Sequence, residues 1–287
     1  MTSVYIGTSD FAAAVLAAAS PELGASLAVT RPPSRRGRGR RVAPSPVALK
    51  AGELGIAVAA PERLEDVAEE IAALAPEHVV LCAYGALVRE PLLSRHEILN
   101  VHPSLLPRWR GAAPIERAIM AGDEITGVSI MRLVAELDAG PVCAARSIAI
   151  APEHDYGTLS ARLAADGAQL LLEAIGGPRR YVEQDEGAAT YAEKITPADR
   201  ELDPGLSAAV LERRVRALHP HIGARLPGGL AVQRARLAER AVEPGTLSAQ
   251  DGRLYLGASP GALELLCVQP PGGRTMDAAS YLRGHAL

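Results

Sequence analysis

The chain has 287 residues, 48% hydrophobic and 22% charged, which excludes an intrinsically disordered chain and allows one large domain or two ordinary ones. Its formal net charge of -3 argues against broad, non-specific binding to nucleic acid. Glycine, proline or charge interrupts every apolar run before the ~20 residues that a membrane helix needs, so we expect a cytoplasmic protein.

Three cysteines, Cys82, Cys143 and Cys267, are widely spaced and lie in apolar runs. They form no CxxC pair, so the sequence indicates neither a disulfide framework nor a zinc site. We interpret all three as small hydrophobic core residues, and we expect no metal.

The first half alternates short apolar runs with helical patterns, as is typical of parallel strands joined by crossover helices. We predict strands at 4–6, 26–29, 57–59, 79–83 and 98–102, and helices at 11–18, 46–54, 64–74 and 112–120. The expected stops are Pro21, Gly24, Gly55 and Pro76. Two further strands are predicted at 125–133 and 142–150, and then an amphipathic helix at 158–175 that Thr158 caps.

From about residue 176 the sequence becomes polar and rich in Gly, Arg and Glu. We therefore predict a first domain at 1–182, a linker at 183–203 and a second domain at 204–287. A helix at 208–218 and short strands separated by glycine-containing turns follow. The pattern predicts an α/β domain with a mostly parallel sheet and then a small β-rich domain, shaped as an open barrel.

The last predicted parallel strand carries two polar side chains, Asn100 and His102, on one face, and Ser104 continues the alternation. Open α/β sheets bind ligands at the carboxyl edge of their strands. An amide that donates to a developing oxyanion and an imidazole that moves a proton suit acyl transfer. On the residues alone, hydrogen bonds to loop backbone at a strand end are an equal alternative.

The segment after this strand reads SLLPRWRGAAPI at 104–115, and together with Asn100 and His102 it closely resembles the signature of the methionyl-tRNA formyltransferase family. Further matches follow the family order along nearly the whole chain: GTSDFA at 7–12, GRGRR at 37–41, PSPV at 44–47, AYG at 83–85, GVSIM at 127–131, LDAG at 137–140, ATYAEKI at 189–195 and MDAASYLRG at 276–284. The resemblance implies a Rossmann-like formyltransferase domain and a tRNA-binding β-barrel related to the oligonucleotide-binding (OB) fold.

The same resemblance implies a reaction and its catalytic residues. The formyl group of 10-formyltetrahydrofolate would pass to the amino group of initiator methionyl-tRNA, for translation initiation and without a metal. Asn100 would donate to the oxyanion, His102 would relay a proton, and Asp138 would orient the imidazole. We expect a monomer.

The folate site that the resemblance implies comprises the loop after the strand and the end of the preceding strand: Ser104, Leu105, Leu106, Pro107, Tyr84 and Gly85. Leu105 and Leu106 could equally be core residues, and a buried packing role is an alternative for Tyr84. The resemblance alone places Trp109, the only tryptophan, near the site.

Six arginines with no acid among them lie between the second strand and the next helix: Arg31, Arg35, Arg36, Arg38, Arg40 and Arg41. Such a run is most often a solvated loop. The resemblance identifies it as the insertion that enters the acceptor stem of initiator tRNA, with Arg38 as the central contact.

The chain departs from the family pattern beside the catalytic acid, where Glu136 and Ala139 replace Gly and Thr. If the usual Gly sits at positive φ, Glu136 would cost about 1 kcal/mol there or force a local rearrangement. In the second domain, His219 and His221 replace more typical residues, and we expect weaker tRNA contacts. Two alternatives stay open: a folate-dependent N-formyltransferase acting on an amino sugar nucleotide, and a tRNA-binding homologue that has lost catalysis.

Overall fold

The computed structural model describes residues 2–36 and 41–285. Contacts divide the chain into two compact units. Unit 1 comprises Met1–Pro114, Ile125–Ala149 and Ser160–Glu193, and unit 2 comprises Ile115–Glu124, Ile150–Leu159 and Lys194–Leu287. The division into domains at 1–182 and 204–287 stays a prediction. In the described part of the chain, no helix is long and apolar enough to cross a membrane.

A seven-stranded sheet forms the centre of unit 1, in the order β10-β9-β7-β6-β1-β2-β5. Strands β5, β2, β1, β6 and β7 are parallel neighbours, whereas β9 is antiparallel to both β7 and β10. The mostly parallel sheet of the predicted α/β domain is thereby confirmed. In chain order the strands of this unit are β1 (Ser3–Gly7), β2 (Ala25–Val29), β3 (Ser34–Arg36), β4 (Arg41–Ala43), β5 (Ala57–Ala59), β6 (His78–Cys82), β7 (Ile98–His102), β8 (Arg110–Gly111), β9 (Ile125–Arg132), β10 (Val142–Ala149) and β11 (Tyr191–Ala192).

Helices connect these strands: α1 (Asp10–Leu23), α2 (Pro46–Glu53), α3 (Ala68–Ala73), α4 (Leu92–Arg95), α5 (Pro114–Ala121) and α6 (Tyr156–Ile175). The predicted helix at 64–74 begins with a 3-10 turn, Leu64–Val67. Helix α5 begins at Pro114 rather than at the predicted residue 112, because the fixed φ of proline suits the first helical position.

Two further predicted helix boundaries were wrong. Helix α1 runs through Pro21 to the fully buried Leu23, and Gly24 at φ +62° ends it. Helix α6 begins before Thr158, since Asp155 Oδ1 accepts from Thr158 N over 2.8 Å and Thr158 Oγ1 accepts from Asp155 N over 3.0 Å. Asp155 therefore caps this helix, and Thr158 completes the reciprocal pair.

Helix α6 lies close against the sheet at Gly167. A Cβ at this position would lie 3.2 Å from Val101 Cγ1 and 3.3 Å from Val128 Cγ1. Because side chains alternate along a strand, Asn100 and His102 lie on the opposite face of β7 from Val101. The helix thus covers the apolar face and leaves the polar face to the site.

Unit 2 contains an antiparallel sheet in the order β12-β13-β16-β15-β14, and β17 also pairs with β16. Helix α7 (Ala208–Leu218) is capped by Ser207 and coincides with the predicted helix; its Leu211 and Val215 share a core with Leu254 and Leu263. The remaining elements are β12 (Ala224–Arg225), β13 (Ala231–Ala238), β14 (Leu247–Gln250), β15 (Arg253–Gly257), β16 (Ala262–Gln269), β17 (Met276–Asp277) and α8 (Ala278–Gly284). A β-rich second domain is confirmed.

The three cysteines all lie in the described part of the chain and are free. Cys82 is fully buried, as predicted, and burial raises the pKa of its thiol to about 12. Cys143 and Cys267 are only partly buried. Among residues 2–36 and 41–285, no group of three or more His, Cys, Asp or Glu could hold a metal ion.

Candidate active site

Strand β7 supplies two buried polar side chains, Asn100 and His102, each only 4% exposed. This is an interior strand of the sheet, with β6 parallel on one side and β9 antiparallel on the other. Asn100 is also the only asparagine in the chain. Burial of an amide and an imidazole is costly unless both find polar partners.

Asp138 provides these partners from the loop between β9 and β10. Asn100 Nδ2 donates to Asp138 Oδ1 over 3.3 Å, and His102 Nδ1 lies 3.6 Å from Asp138 Oδ2. The backbone N–H of Gly111 donates to Asp138 Oδ2 over 2.8 Å. The structure therefore brings together the three side chains that the resemblance selected, although they span 38 positions.

The second ring nitrogen of His102 contacts the segment that follows the strand. Nε2 lies 2.9 Å from the carbonyl oxygen of Trp109, whose own N–H donates to Thr190 Oγ1 over 2.9 Å. Oxygen atoms thus face both ring nitrogens, and only the protonated imidazolium can donate from both. Trp109 contributes to this site through its backbone.

Gly111 is required by its surroundings, because its φ is +113° and a Cβ would lie 2.9 Å from the carbonyl oxygen of Ala192. That approach joins β8 to β11 as a short parallel pair. It also aims the Gly111 N–H at Asp138.

The expected strain at Glu136 is absent. Neither Glu136 nor Ala139 is among the described residues with positive φ, and Glu136 is exposed. Asp138 itself takes the left-handed conformation, with φ +48°. Aspartate tolerates this region better than most residues because its short polar side chain can bond locally. The condition on which strain at Glu136 depended is therefore not met, because Asp138 is the residue of this loop with positive φ.

Two side chains hold the Asp138 loop from outside, and neither had been assigned a role. Gln184 Nε2 donates to the carbonyls of Asp138 and Gly140 over 2.8 and 2.7 Å. Gln184 Oε1 accepts from Arg110 Nε over 3.0 Å. Gln184 belongs to the predicted linker, where nothing in the local pattern indicates a site, whereas Arg110 was visible inside the recognised segment.

Arg110 is the largest of the fully buried side chains, and it is 1% exposed. Its guanidinium donates to both carboxylate oxygens of Glu186, over 2.9 and 2.7 Å. These hydrogen bonds raise the pKa of Arg110 and lower that of Glu186. The buried charge is therefore satisfied by one amide and one carboxylate of the segment 184–186.

The predicted folate loop is closed by its own hydrogen bonds. Ser104 is fully buried, its Oγ donates to the carbonyl of Arg108 over 2.6 Å, and its carbonyl accepts from Ser129 Oγ over 2.8 Å. Leu105 packs against Gly127, where a Cβ would lie 2.5 Å from Leu105 Cδ2. The side chains of Ser104 and Leu105 thus shape the loop.

Leu106 and Pro107 instead line a cleft of about 340 Å³ together with Cys143 and Gln184. The side chain of Tyr84 is 2% exposed and belongs to a hydrophobic core that includes Ile6 and Val29, which is the packing alternative. Burial raises the pKa of Tyr84. Gly85 is exposed at φ +83°.

Three of the six predicted tRNA-binding arginines, Arg35, Arg36 and Arg41, lie on two short strands. Strands β3 and β4 pair antiparallel, with Arg35 opposite Val42 and Arg36 opposite Arg41. Arg31, Arg35 and Arg41 are exposed. Arg38 and Arg40 lie outside the described residues. The arginine-rich segment therefore contains two paired β-strands and is not a loop throughout.

Comparison with known proteins defines the class of enzyme. A family model described as formyl transferase matches residues 1–175, and a second, described as formyl transferase, C-terminal domain, matches residues 194–286. Both parts of the chain are thus those of a formyl transferase.

Two relatives define the family. Methionyl-tRNA formyltransferase of Halorhodospira halophila is 43% identical, covering 99% of this chain and 96% of that protein. Methionyl-tRNA formyltransferase of Methylococcus capsulatus is 42% identical, covering 100% of this chain and 98% of that protein. The chain belongs to the methionyl-tRNA formyltransferase family, and the resemblance found in the sequence is confirmed.

A solved structure supports the fold at much greater divergence. The crystal structure of WlaRD, a sugar 3N-formyl transferase, has a TM-score of 0.68 at 11% identity, covering 92% of this chain and 97% of that chain. At this identity the likeness shows the fold alone.

Proposed function

We propose that this chain transfers the formyl group of 10-formyltetrahydrofolate to the α-amino group of initiator methionyl-tRNA, giving N-formylmethionyl-tRNA for translation initiation. The observation that carries the proposal is the convergence of Asn100, His102 and Asp138 in a chain related over its full length to methionyl-tRNA formyltransferases. Neither the amino sugar nucleotide alternative nor loss of catalysis has comparable support.

The attacking group needs little activation. A free α-amino group has a reference pKa of about 7.7 to 8.0, and the neighbouring ester lowers it, so much of the amine is neutral at physiological pH. The harder task is to handle the oxyanion and the ammonium of the tetrahedral adduct together. The site must therefore donate one hydrogen bond and move one proton.

Asn100 and His102 divide this work. One N–H of the Asn100 amide contacts Asp138, which fixes the plane of the amide, and the second can donate to the oxyanion. His102 carries the proton from the ammonium towards the departing folate nitrogen. Asp138 orients the imidazole and stabilises its charged form without becoming a proton carrier.

The formyl donor would bind beside the face of β7 that carries Asn100 and His102. Leu106 and Pro107 of the proposed folate loop line a cleft, and the buried Ser104 and the partly buried Leu105 keep the loop in shape. WlaRD, which shares the fold, was crystallised in the presence of 5-N-Formyl-THF. The activated formyl group of the donor supplies the electrophile, so the protein needs no covalent intermediate.

The acceptor would bind through phosphate contacts. The exposed Arg31, Arg35 and Arg41 present positive charge on and beside the β3–β4 hairpin, and Arg36, Arg38 and Arg40 extend the run. We place the second tRNA contact on a domain at 204–287 with an OB-type barrel, joined by a linker at 183–203. The enzyme would act in the cytoplasm as a monomer.

Formyl transfer to a panel of acceptors tests the proposal. Purified protein and 10-formyltetrahydrofolate are incubated with initiator methionyl-tRNA, uncharged initiator tRNA, free methionine or a dTDP-amino sugar. We expect rapid formylation of the charged tRNA alone. Formylation of the sugar alone would favour the amino sugar reaction, and binding of tRNA without release of tetrahydrofolate would identify a non-catalytic binding protein.

A further inference from the structure

Asp138 must present its carboxylate to two buried side chains from a backbone conformation that most residues avoid. Its φ is +48°, in the left-handed region that few L-residues other than asparagine and aspartate adopt. The preceding and following residues, Leu137 and Ala139, lie on a loop rather than on a strand or helix. Contacts from elsewhere therefore help to hold this conformation.

The side-chain amide of Gln184 supplies such contacts. Its nitrogen donates to the carbonyls of Asp138 and Gly140, over 2.8 and 2.7 Å, so one amide group spans the turn that contains Ala139. An NH₂ group has two hydrogens, one for each carbonyl. This bridge fixes the peptide group that follows the Asp138 side chain.

Arg110 determines which end of the Gln184 amide faces the loop. A guanidinium can only donate, so Arg110 Nε requires the oxygen of Gln184 on its side, at 3.0 Å. The NH₂ end is thereby directed at the two loop carbonyls. Glutamate at this position would satisfy Arg110 but would place a second oxygen against both carbonyls.

Arg110 and the residue that follows it both help to hold the Asp138 loop. Its guanidinium pairs with Glu186, and the next residue, Gly111, donates its N–H to Asp138 Oδ2 over 2.8 Å. Gly111 therefore holds the Asp138 carboxylate directly, and Arg110 holds the Asp138 carbonyl through Gln184.

We propose that Gln184 is a positioning residue for formyl transfer: it holds the Asp138 loop so that the carboxylate meets Asn100 and His102. This inference rests on the proposed function for its effect on turnover. A catalytic side chain displaced by about 1 Å can lower the reaction rate about 100-fold. We therefore expect the loss of Gln184 to lower kcat rather than to weaken substrate binding.

The test uses Gln184→Glu, which keeps the acceptor for Arg110 and removes both donors to the loop. Gln184→Met, of similar length, removes all three hydrogen bonds. The matched control is Gln169→Glu, since the exposed Gln169 also accepts from an arginine, Arg146, over 3.1 Å. Melting temperatures establish that each variant folds.

Two readouts separate positioning from general stability. We expect kcat of Gln184→Glu to fall about 10- to 100-fold, with the KM for methionyl-tRNA within about twofold of wild type. The kcat is measured at saturating folate donor, because Gln184 also lines the proposed folate cleft. Because Asn100 is the only asparagine, protein labelled with ¹⁵N-asparagine gives one side-chain amide, and its NMR signals should shift in Gln184→Glu and Gln184→Met but not in Gln169→Glu.

An Asn100 side-chain signal unchanged in both Gln184 variants would overturn the inference, whatever the activity. So would an unchanged kcat in an active enzyme, a loss confined to KM, or an equal loss in Gln169→Glu. If the wild type formylates no acceptor, the proposed function fails, and the Asn100 signal alone then decides whether Gln184 positions the loop.

Discussion

The side-chain amide of Asn100 donates to Oδ1 of Asp138 across 3.3 Å, and this contact joins the interior strand β7 to the loop between β9 and β10. It orients an amide that has one hydrogen left for substrate. It also gives the carboxylate one donor on Oδ1 while Gly111 occupies Oδ2. This geometry suits the role that we propose for Asn100, an oxyanion donor beside an imidazole and its carboxylate.

Asp138→Asn should lower kcat by about 100-fold or more, because it removes the charge that orients and stabilises the imidazolium. Asparagine tolerates positive φ and has the same shape, so the protein should still fold. Its NH₂ must face a donor, either the Asn100 amide or the Gly111 N–H, so we expect a lower melting temperature than that of wild type. Steady-state kinetics and thermal unfolding check both parts. The control is Asp166→Asn, which removes a carboxylate paired with Arg162 on helix α6 and should leave kcat unchanged. An Asp138→Asn enzyme with wild-type kcat would exclude the proposed role of Asp138 in orienting and stabilising the imidazolium.

Glu136→Gly should not stabilise the protein, although the family usually has glycine there. Glu136 does not adopt positive φ, so glycine relieves no strain and adds freedom to the unfolded chain. We expect a loss of about 0.4 to 1 kcal/mol in the free energy of unfolding, measured by denaturant titration. A gain in stability would show that the loop is strained at this position.

Arg35→Ala and Arg41→Ala should raise the KM for methionyl-tRNA and leave the KM for the folate donor unchanged. Each lost phosphate contact should reduce the slope of log KM against log salt concentration by about one. Arg162→Ala removes a charge from helix α6 and is the control. If the hairpin variants keep the wild-type salt dependence, the hairpin does not bind tRNA phosphates.

The ion pair between Arg117 and Asp199 in unit 2 should make stability depend on pH. Hydrogen bonds from Arg117 lower the pKa of Asp199 to about 2. A depressed pKa contributes stability that is present above the usual value of 3.8 and is lost as pH falls through about 2. The melting temperature of Asp199→Asn should therefore fall further below wild type at about pH 6 than at about pH 3. An equal difference at both pH values would contradict this linkage.

The sequence predicted the features that depend on local pattern. Short apolar runs between helical patterns located strand β7 and its two polar side chains, and helix α7 was predicted with the bounds observed. Boundaries were missed where a tertiary contact decides, as at Leu23, whose burial extends α1 beyond Pro21.

The proposed catalytic set could be assembled only in part from residue patterns. Asn100 and His102 share one strand, but Asp138 reaches them from a loop, so that only the resemblance selected it in the sequence. Gln184 lies 46 positions from Asp138, in a segment whose composition is typical of a linker. No local signal marks a hydrogen bond at that separation, because its geometry depends on how the two segments pack.

The most direct test of the catalytic account is a single-turnover measurement of formyl transfer, comparing wild type with Asn100→Ala at saturating 10-formyltetrahydrofolate and initiator methionyl-tRNA. If Asn100 donates to the oxyanion, the rate of the transfer step should fall about 10²- to 10³-fold while both substrates still bind. An Asn100→Ala enzyme that forms N-formylmethionyl-tRNA at the wild-type single-turnover rate would contradict the account.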